Sequence, residues 1–253
     1  KKNTVDYNVS HNFLYKFLTI MNQFKSAWQF AFQHWQFLAV MAFPVFIFEV
    51  MTAYYLSSAS ILLESGNIDD LTEYFTANAL PITLLAFISI ILSMSFIGGI
   101  YVAFNALTIN KAMKPFDALF IGFRKFFPIL GASILCNIAI FFGFFMLILP
   151  AFYIAGRLGL TISYLMLENK TVSESISASW EATDEHGTIL FVLTLTFFIL
   201  ASVSGLIVVG AFPDLSLLQS ILAGIVEYIF IFPLSYVYFS LYKSLKSSEE
   251  TNV

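Results

Sequence analysis

Six apolar stretches, at 36–56, 80–109, 127–149, 151–168, 189–209 and 217–241, occupy most of the 253 residues. A hydrocarbon core about 30 Å thick is crossed by about 20 helical residues, and each stretch reaches that length or falls short of it by a turn or two. Hydrocarbon offers a backbone amide no partner, so segments of this kind span as helices, whose hydrogen bonds are internal. The sequence therefore predicts an all-α polytopic membrane protein: six transmembrane helices in three hairpins, within a single integral membrane domain over 1–253. Hydrophobic residues make up 59% of the chain and charged residues 11%, which excludes an ordinary soluble globular domain. A net charge of -4 excludes a nucleic-acid partner held by a broad basic surface. Membrane lipids are the expected partners, with a second copy or another membrane protein left open.

Lys and Arg stay on the cytoplasmic side of short loops. Here Lys1, Lys2, Lys16 and Lys25 precede the first stretch; Lys111, Lys114, Arg124 and Lys125 separate the second from the third; Lys170 follows the fourth, and Lys243 and Lys246 the sixth. With six alternating spans all of these share one side. The opposite loops carry Glu64, Asp69, Asp70, Glu73, Pro150 and Asp214, with no Lys or Arg. Both termini are expected in the cytoplasm. The stretch from Lys1 to His34 lacks the charged start, short apolar run and small-residue site of a signal peptide.

The segments between the spans on that side resemble one another. Phe13, Phe17, Ile20, Phe24, Trp28 and Ala31 recur at helical spacing, as do Phe116, Leu119, Phe120, Phe123 and Phe127, and then Val172, Ile176 and Trp180. Each predicts an amphipathic helix in the membrane surface, the second of them too short to span. Thr171 with Glu174 forms a capping box that starts the third, and Gly187 can end it. Aligned without gaps, Ala27-Trp28, Ala118-Leu119 and Ser175-Ile176 coincide, and after two further residues so do Ala31-Phe32, Gly122-Phe123 and Ser179-Trp180. The implied unit is one surface helix plus one transmembrane hairpin, repeated over 9–109, 115–168 and 171–246. Chance similarity among short interfacial helices is the competing explanation.

Lipid is as apolar as Leu, so helices in it associate where small residues let backbones approach. Ala151, Ala155, Gly159 and Ser163 recur every four residues along the fourth span, Ser95, Gly99 and Ala103 do so on the second, and Ala201 with Gly205 on the fifth. Pro44 and Pro233 lie inside spans and predict kinks, Pro81 and Pro128 sit where helices are expected to start, and Pro213-Asp214 reads as a turn.

Glu49, Arg157 and Glu227 are the ionisable side chains farthest from any predicted surface, and such residues are costly in hydrocarbon and seldom face lipid. Counting about 1.5 Å per residue from the helix ends puts the two acids near the midplane and the cation within reach of them. Two acids facing one cation leave a surplus acid, free to take a proton, a cation or an amine headgroup. The alternative is packing alone, an Arg157 ion pair with the other acid held by Tyr, Ser or Asn. Trp28, Trp35 and Trp180 fit an interfacial aromatic belt. His11, His34 and His186 are far apart in sequence and Cys136 is the single cysteine, so no metal, haem or other cofactor is expected.

The run Leu147-Ile148-Leu149-Pro150, Arg157 seven residues on, Leu167-Glu168, and Ser175 to Trp180-Glu181-Ala182-Thr183 resembles the pattern of YciC-like bacterial inner-membrane proteins, an uncharacterised six-helix family. Ala151 stands where those proteins usually carry Gly, and Ser175 where Ala is common. The resemblance implies a six-helix fold and an inner-membrane location, and no reaction. The favoured expectation is a non-enzymatic protein that organises the membrane or envelope. The alternative is a small transporter, channel or lipid-handling protein using Glu49, Arg157 and Glu227.

Overall fold

The structure, a computed structural model, describes residues 2–64, 66–212 and 216–251. Among these residues the chain forms helices and no strand: α1 Lys2–Gln33, α2 Trp35–Glu64, α3 Ile68–Thr108, α4 Pro115–Arg124, α5 Phe126–Met146, α6 Ile148–Leu158, α7 Thr161–Leu167, α8 Val172–Ala182, α9 Gly187–Ala211 and α10 Ser216–Thr251. Six are long and apolar enough to cross a membrane once α6 and α7 are counted as one span, Ile148–Leu167. The all-α polytopic architecture follows. Large apolar side chains such as Phe127, Phe145 and Leu206 are more than two-thirds exposed, an arrangement suited to lipid and unsuited to water.

Several helix ends differ from the sequence reading. Helix α3 starts well before position 80, because the Asn67 side chain accepts from the amides of Asp69 and Asp70 and both acids occupy the positive first turn. Pro81 therefore lies inside α3 rather than at its start. Pro150 sits within the first turn of α6, where a missing N–H costs nothing, and the turn of the second hairpin narrows to Leu147. Gly187 begins α9 instead of ending α8, because its bare Cα lies under Tyr153 and Arg157: an added Cβ would meet the Tyr153 hydroxyl at 3.0 Å. The Thr171–Glu174 capping box forms as read, and Pro44 and Pro233 lie inside α2 and α10. The Pro213-Asp214 turn lies outside the described residues, as do the side chains of His11, Phe13 and Glu64.

The chain divides into two compact units. The first comprises Lys1–Trp35, Phe127–Ile199 and Ile231–Val253, the second Gln36–Phe126 and Leu200–Phe230.

In the second unit α4 is seated on α3. Gly99 faces the backbone of α4, where an added Cβ would meet the Ala118 carbonyl oxygen at 2.7 Å, and a Cβ on Gly122 would overlap the Ser95 carbonyl. The Ser95, Gly99 and Ala103 stripe is thus the bed of the surface helix, and all three are buried.

In the first unit the fourth span breaks between α6 and α7 at Gly159-Leu160, which periodicity did not reveal. Gly159 leaves room for the Tyr238 ring, Gly143 for the backbone of Ala151, and Gly156 for Leu190. Ala155 is half-buried and Ser163 fully buried. Gly205 has nothing within 4 Å, so the expected contact at Ala201-Gly205 is not made there. In each of the three surface helices the aligned small pair is buried, Ala27 with Ala31, Ala118 with Gly122, Ser175 with Ser179, and the aromatic after the second is exposed: Phe32, Phe123, Trp180.

Candidate functional site

The site is built in the second unit from α2, α3 and the first half of α10. Glu49 of α2 projects where Ser93 of α3 and Tyr228 of α10 can both reach it. The Ser93 hydroxyl donates to Glu49 Oε1 at 2.9 Å and the Tyr228 hydroxyl to Oε2 at 2.6 Å. Tyr228 is buried and held edge-on by Phe46 and Phe96, with ring centroids 6.1 and 5.5 Å away. One turn along the same seam, Thr52 and Ser89 hydroxyls lie 3.1 Å apart. The carboxylate is therefore fixed by neutral donors rather than by a cation.

Glu227, the residue before Tyr228, lines the same cavity as Glu49. The cavity is about 250 Å³ and is walled by Phe46, Val50 and Ala53 of α2, Val209 of α9, and Gln219 and Gly224 of α10. Gly224 keeps it open, since an added Cβ would sit 2.9 Å from the Phe46 ring. Among the described residues no hydrogen bond or ion pair reaches the Glu227 carboxylate, and no Lys or Arg pairs with either acid. An open, mostly apolar cavity thus presents two carboxylates, one clamped and one free to accept.

Arg157 belongs to the first unit, and all its partners lie there. Its Nε donates to Thr183 Oγ1 at 3.0 Å, one terminal nitrogen to the Tyr153 hydroxyl at 2.9 Å, and the other to the Trp180 carbonyl and to Asp184 at 3.1 Å. Its guanidinium lies 4.5 Å from the centroid of the Trp180 ring. The ion pair expected with Glu49 or Glu227 is replaced by one with Asp184. Arg157 stands in the last turn of α6, where a cation meets the negative end of the helix. Its partners Trp180, Thr183 and Asp184 come from α8 and the turn that follows it.

The other residues singled out have packing roles. Trp28 stacks on Phe32 and on Phe197, with centroids 5.6 and 6.1 Å apart, and Leu119 is buried. Phe123 stacks on Phe120 at 6.5 Å, over which Arg124 lies at 4.8 Å. Ile176 and Trp180 line an apolar cavity beside Cys136. Among the described residues no group of three His, Cys, Asp or Glu is placed to hold a metal ion.

Sequence reasoning found Glu49 and Glu227 but not Ser93 and Tyr228. Tyr228 adjoins Glu227, the one local signal; Ser93 is a small polar residue like many others in the spans. No family model, curated protein or solved structure matches the chain.

Proposed function

We propose that the chain is a non-enzymatic, multi-pass protein of a bacterial cytoplasmic membrane, with both termini in the cytoplasm, and that it takes up a proton or a small protonated amine between Glu49 and Glu227. The observation that carries this reading is that both acids line one cavity with no cation beside them. A carboxylate without a cation in a low-dielectric setting favours whatever neutralises it, a proton or an ammonium group. Glu49, with a hydroxyl on each oxygen, is the fixed wall, and Glu227 is the acceptor. Arg157 plays no part at this site.

The test is flux into liposomes loaded with a pH-sensitive dye, with methylammonium as the probe cation. Glu227→Gln should lower proton or methylammonium flux at least roughly tenfold, one order of magnitude per lost strong interaction. Its thermal stability should stay at the native value, since the free carboxylate has no partner to lose. Native flux in a folded Glu227→Gln protein would overturn the reading.

A second reading, membrane organisation by a collar of surface helices, is supported by the matching burial of Ala27/Ala31, Ala118/Gly122 and Ser175/Ser179. The same pattern supports a threefold repeat, and we hold both that repeat and the likeness to YciC-like proteins as proposals.

A further inference from the structure

The first unit contains a second polar cavity, independent of the acid pair. It is about 430 Å³ and lies among Lys16 and Gln23 of α1, Glu185 and His186 in the turn between α8 and α9, and Ser240 and Ser244 near the end of α10. Its apolar lining comes from Ile189 and Leu241, which are buried. The positive-inside reading places all of these residues at the cytoplasmic face.

The charges of this cavity are unspent. Lys16 and Glu185 line it together, yet among the described residues neither makes an ion pair with the other or with a third group. Gln23 Oε1 is buried with no hydrogen-bond partner. The Ser240 hydroxyl donates to the Val237 carbonyl at 2.9 Å and keeps its lone pairs for another donor. Two acceptors, Glu185 and Gln23 Oε1, thus line one cavity with two donors, Lys16 and His186, and both α1 and the α8–α9 turn supply one of each.

A purely anionic ligand would be met by Lys16 and repelled by Glu185; a purely cationic one would suffer the reverse. A ligand carrying both charges a few bonds apart meets the donors and the acceptors together, and charge-assisted hydrogen bonds are the strong ones. We propose that this cavity binds a phosphoethanolamine group: the phosphate toward Lys16 and His186, the ammonium toward Glu185 and Gln23 Oε1. The group can arrive as a lipid headgroup or as the free phosphomonoester. The apolar lining and the place at the membrane face suit the lipid.

Native mass spectrometry of the full chain distinguishes these. The protein is loaded with equal amounts of dioleoyl phosphatidylethanolamine, dioleoyl phosphatidylglycerol and dioleoylglycerol, with and without free phosphoethanolamine. The wild type should retain the ethanolamine lipid roughly tenfold over the glycerol lipid, and both over dioleoylglycerol. Glu185→Gln should bring the two phospholipids level by removing the amine contact. Lys16→Gln should lower both toward dioleoylglycerol. Both residues are exposed, so the two variants are expected to fold. Displacement of the bound lipid by millimolar phosphoethanolamine would support the headgroup as the recognised part. Retention of free phosphoethanolamine at native masses with no lipid preference would assign the site to the soluble ligand. Equal retention of all three lipids with no phosphoethanolamine bound, or an unchanged lipid ratio in Glu185→Gln, would overturn the proposal.

Discussion

Helices α4 and α8 are nearly the same length, ten and eleven residues, and both press a small-residue face onto a membrane span, but they hold on by different chemistry. Helix α4 meets an unbroken α3, and its seat is backbone on backbone: Gly122 over Ser95, Ala118 over Gly99. Helix α8 meets a span that is broken, and its small residues are hydroxyls. Ser179 Oγ accepts from the Leu160 amide at 3.1 Å and donates to the Arg157 carbonyl at 2.8 Å, so one side chain bridges the gap between α6 and α7. Thr183 Oγ1 accepts from Arg157 Nε and donates back to the Ser179 carbonyl at 2.7 Å. An intact span needs from its neighbour only the absence of side chains. A broken span exposes amides and carbonyls that hydrocarbon cannot satisfy, so its neighbour must bring polar atoms.

The most severe way to break this contrast is at Gly122. A single added methyl meets a backbone carbonyl that no rotamer change can move, so Gly122→Ala should cost about 3 kcal/mol. In a chain of this size that lowers Tm by roughly 10 °C, measured by thermal unfolding in nanodiscs. A native Tm would show that α4 is not seated on α3 as described. Next comes Ser179→Ala, which leaves the buried Leu160 amide without its partner and the Arg157 carbonyl with only the Thr183 hydroxyl, 3.1 Å away, at a cost of about 2 kcal/mol. Hydrogen exchange should rise at Leu160 and its neighbours while α4 is unchanged. Exchange spread equally over both surface helices would mean that the hydroxyl bridge is not what secures α8.

A milder, pH-dependent difference separates the two regions. Glu168, just after α7, accepts from Tyr242 at 3.1 Å and pairs with Lys246 at 3.0 Å and Lys170 at 3.2 Å. Burial pushes its carboxyl up, but the hydrogen bonds from Lys246, Lys170 and Tyr242 outweigh burial and leave it below the ordinary carboxylate value. The folded state therefore binds this proton less readily than the unfolded chain. The stability it contributes is complete above the ordinary value and is lost as pH falls through the lower folded one. Tm in acid should fall with a slope that Glu168→Gln removes.

The small-residue face of α3 was legible in the sequence, though as a contact between spans and not as the seat of α4, and the lock of α8 only in part. The spacing of Ser95, Gly99 and Ala103 marks a face without bulk, and lipid leaves such a face little to do but pack. The capping box at Thr171 was equally readable, because it depends on residues three apart. The break at Gly159-Leu160 was not, since an apolar run reads the same with or without a missing hydrogen bond. Nor does any local pattern tie Arg157 to Trp180, Thr183 and Asp184, so it was assigned to the wrong acids. Glu49 and Glu227 were found because a carboxylate in a span is costly wherever it points. Their shared cavity depends on Gly224, Phe46 and Val209, which carry no charge and come from three different helices that no local sequence pattern connects.

The smallest effect falls at Ser175, one turn before Ser179 on the same face. Both are fully buried, yet Ser179 has two partners and the Ser175 hydroxyl has none. If α8 needed hydroxyls along its whole buried face, the two serines would matter equally. If hydroxyls matter only where the span opposite is broken, Ser175 needs only to be small, like Ala118 at the aligned position of α4. Removing an unpaired buried hydroxyl recovers part of its desolvation cost, so Ser175→Ala should be neutral or raise stability by about 1 kcal/mol, roughly 2–4 °C in Tm. A fall as large as that of Ser179→Ala would show that Ser175 Oγ is engaged in the membrane, and that the polar seam of α8 extends beyond the break.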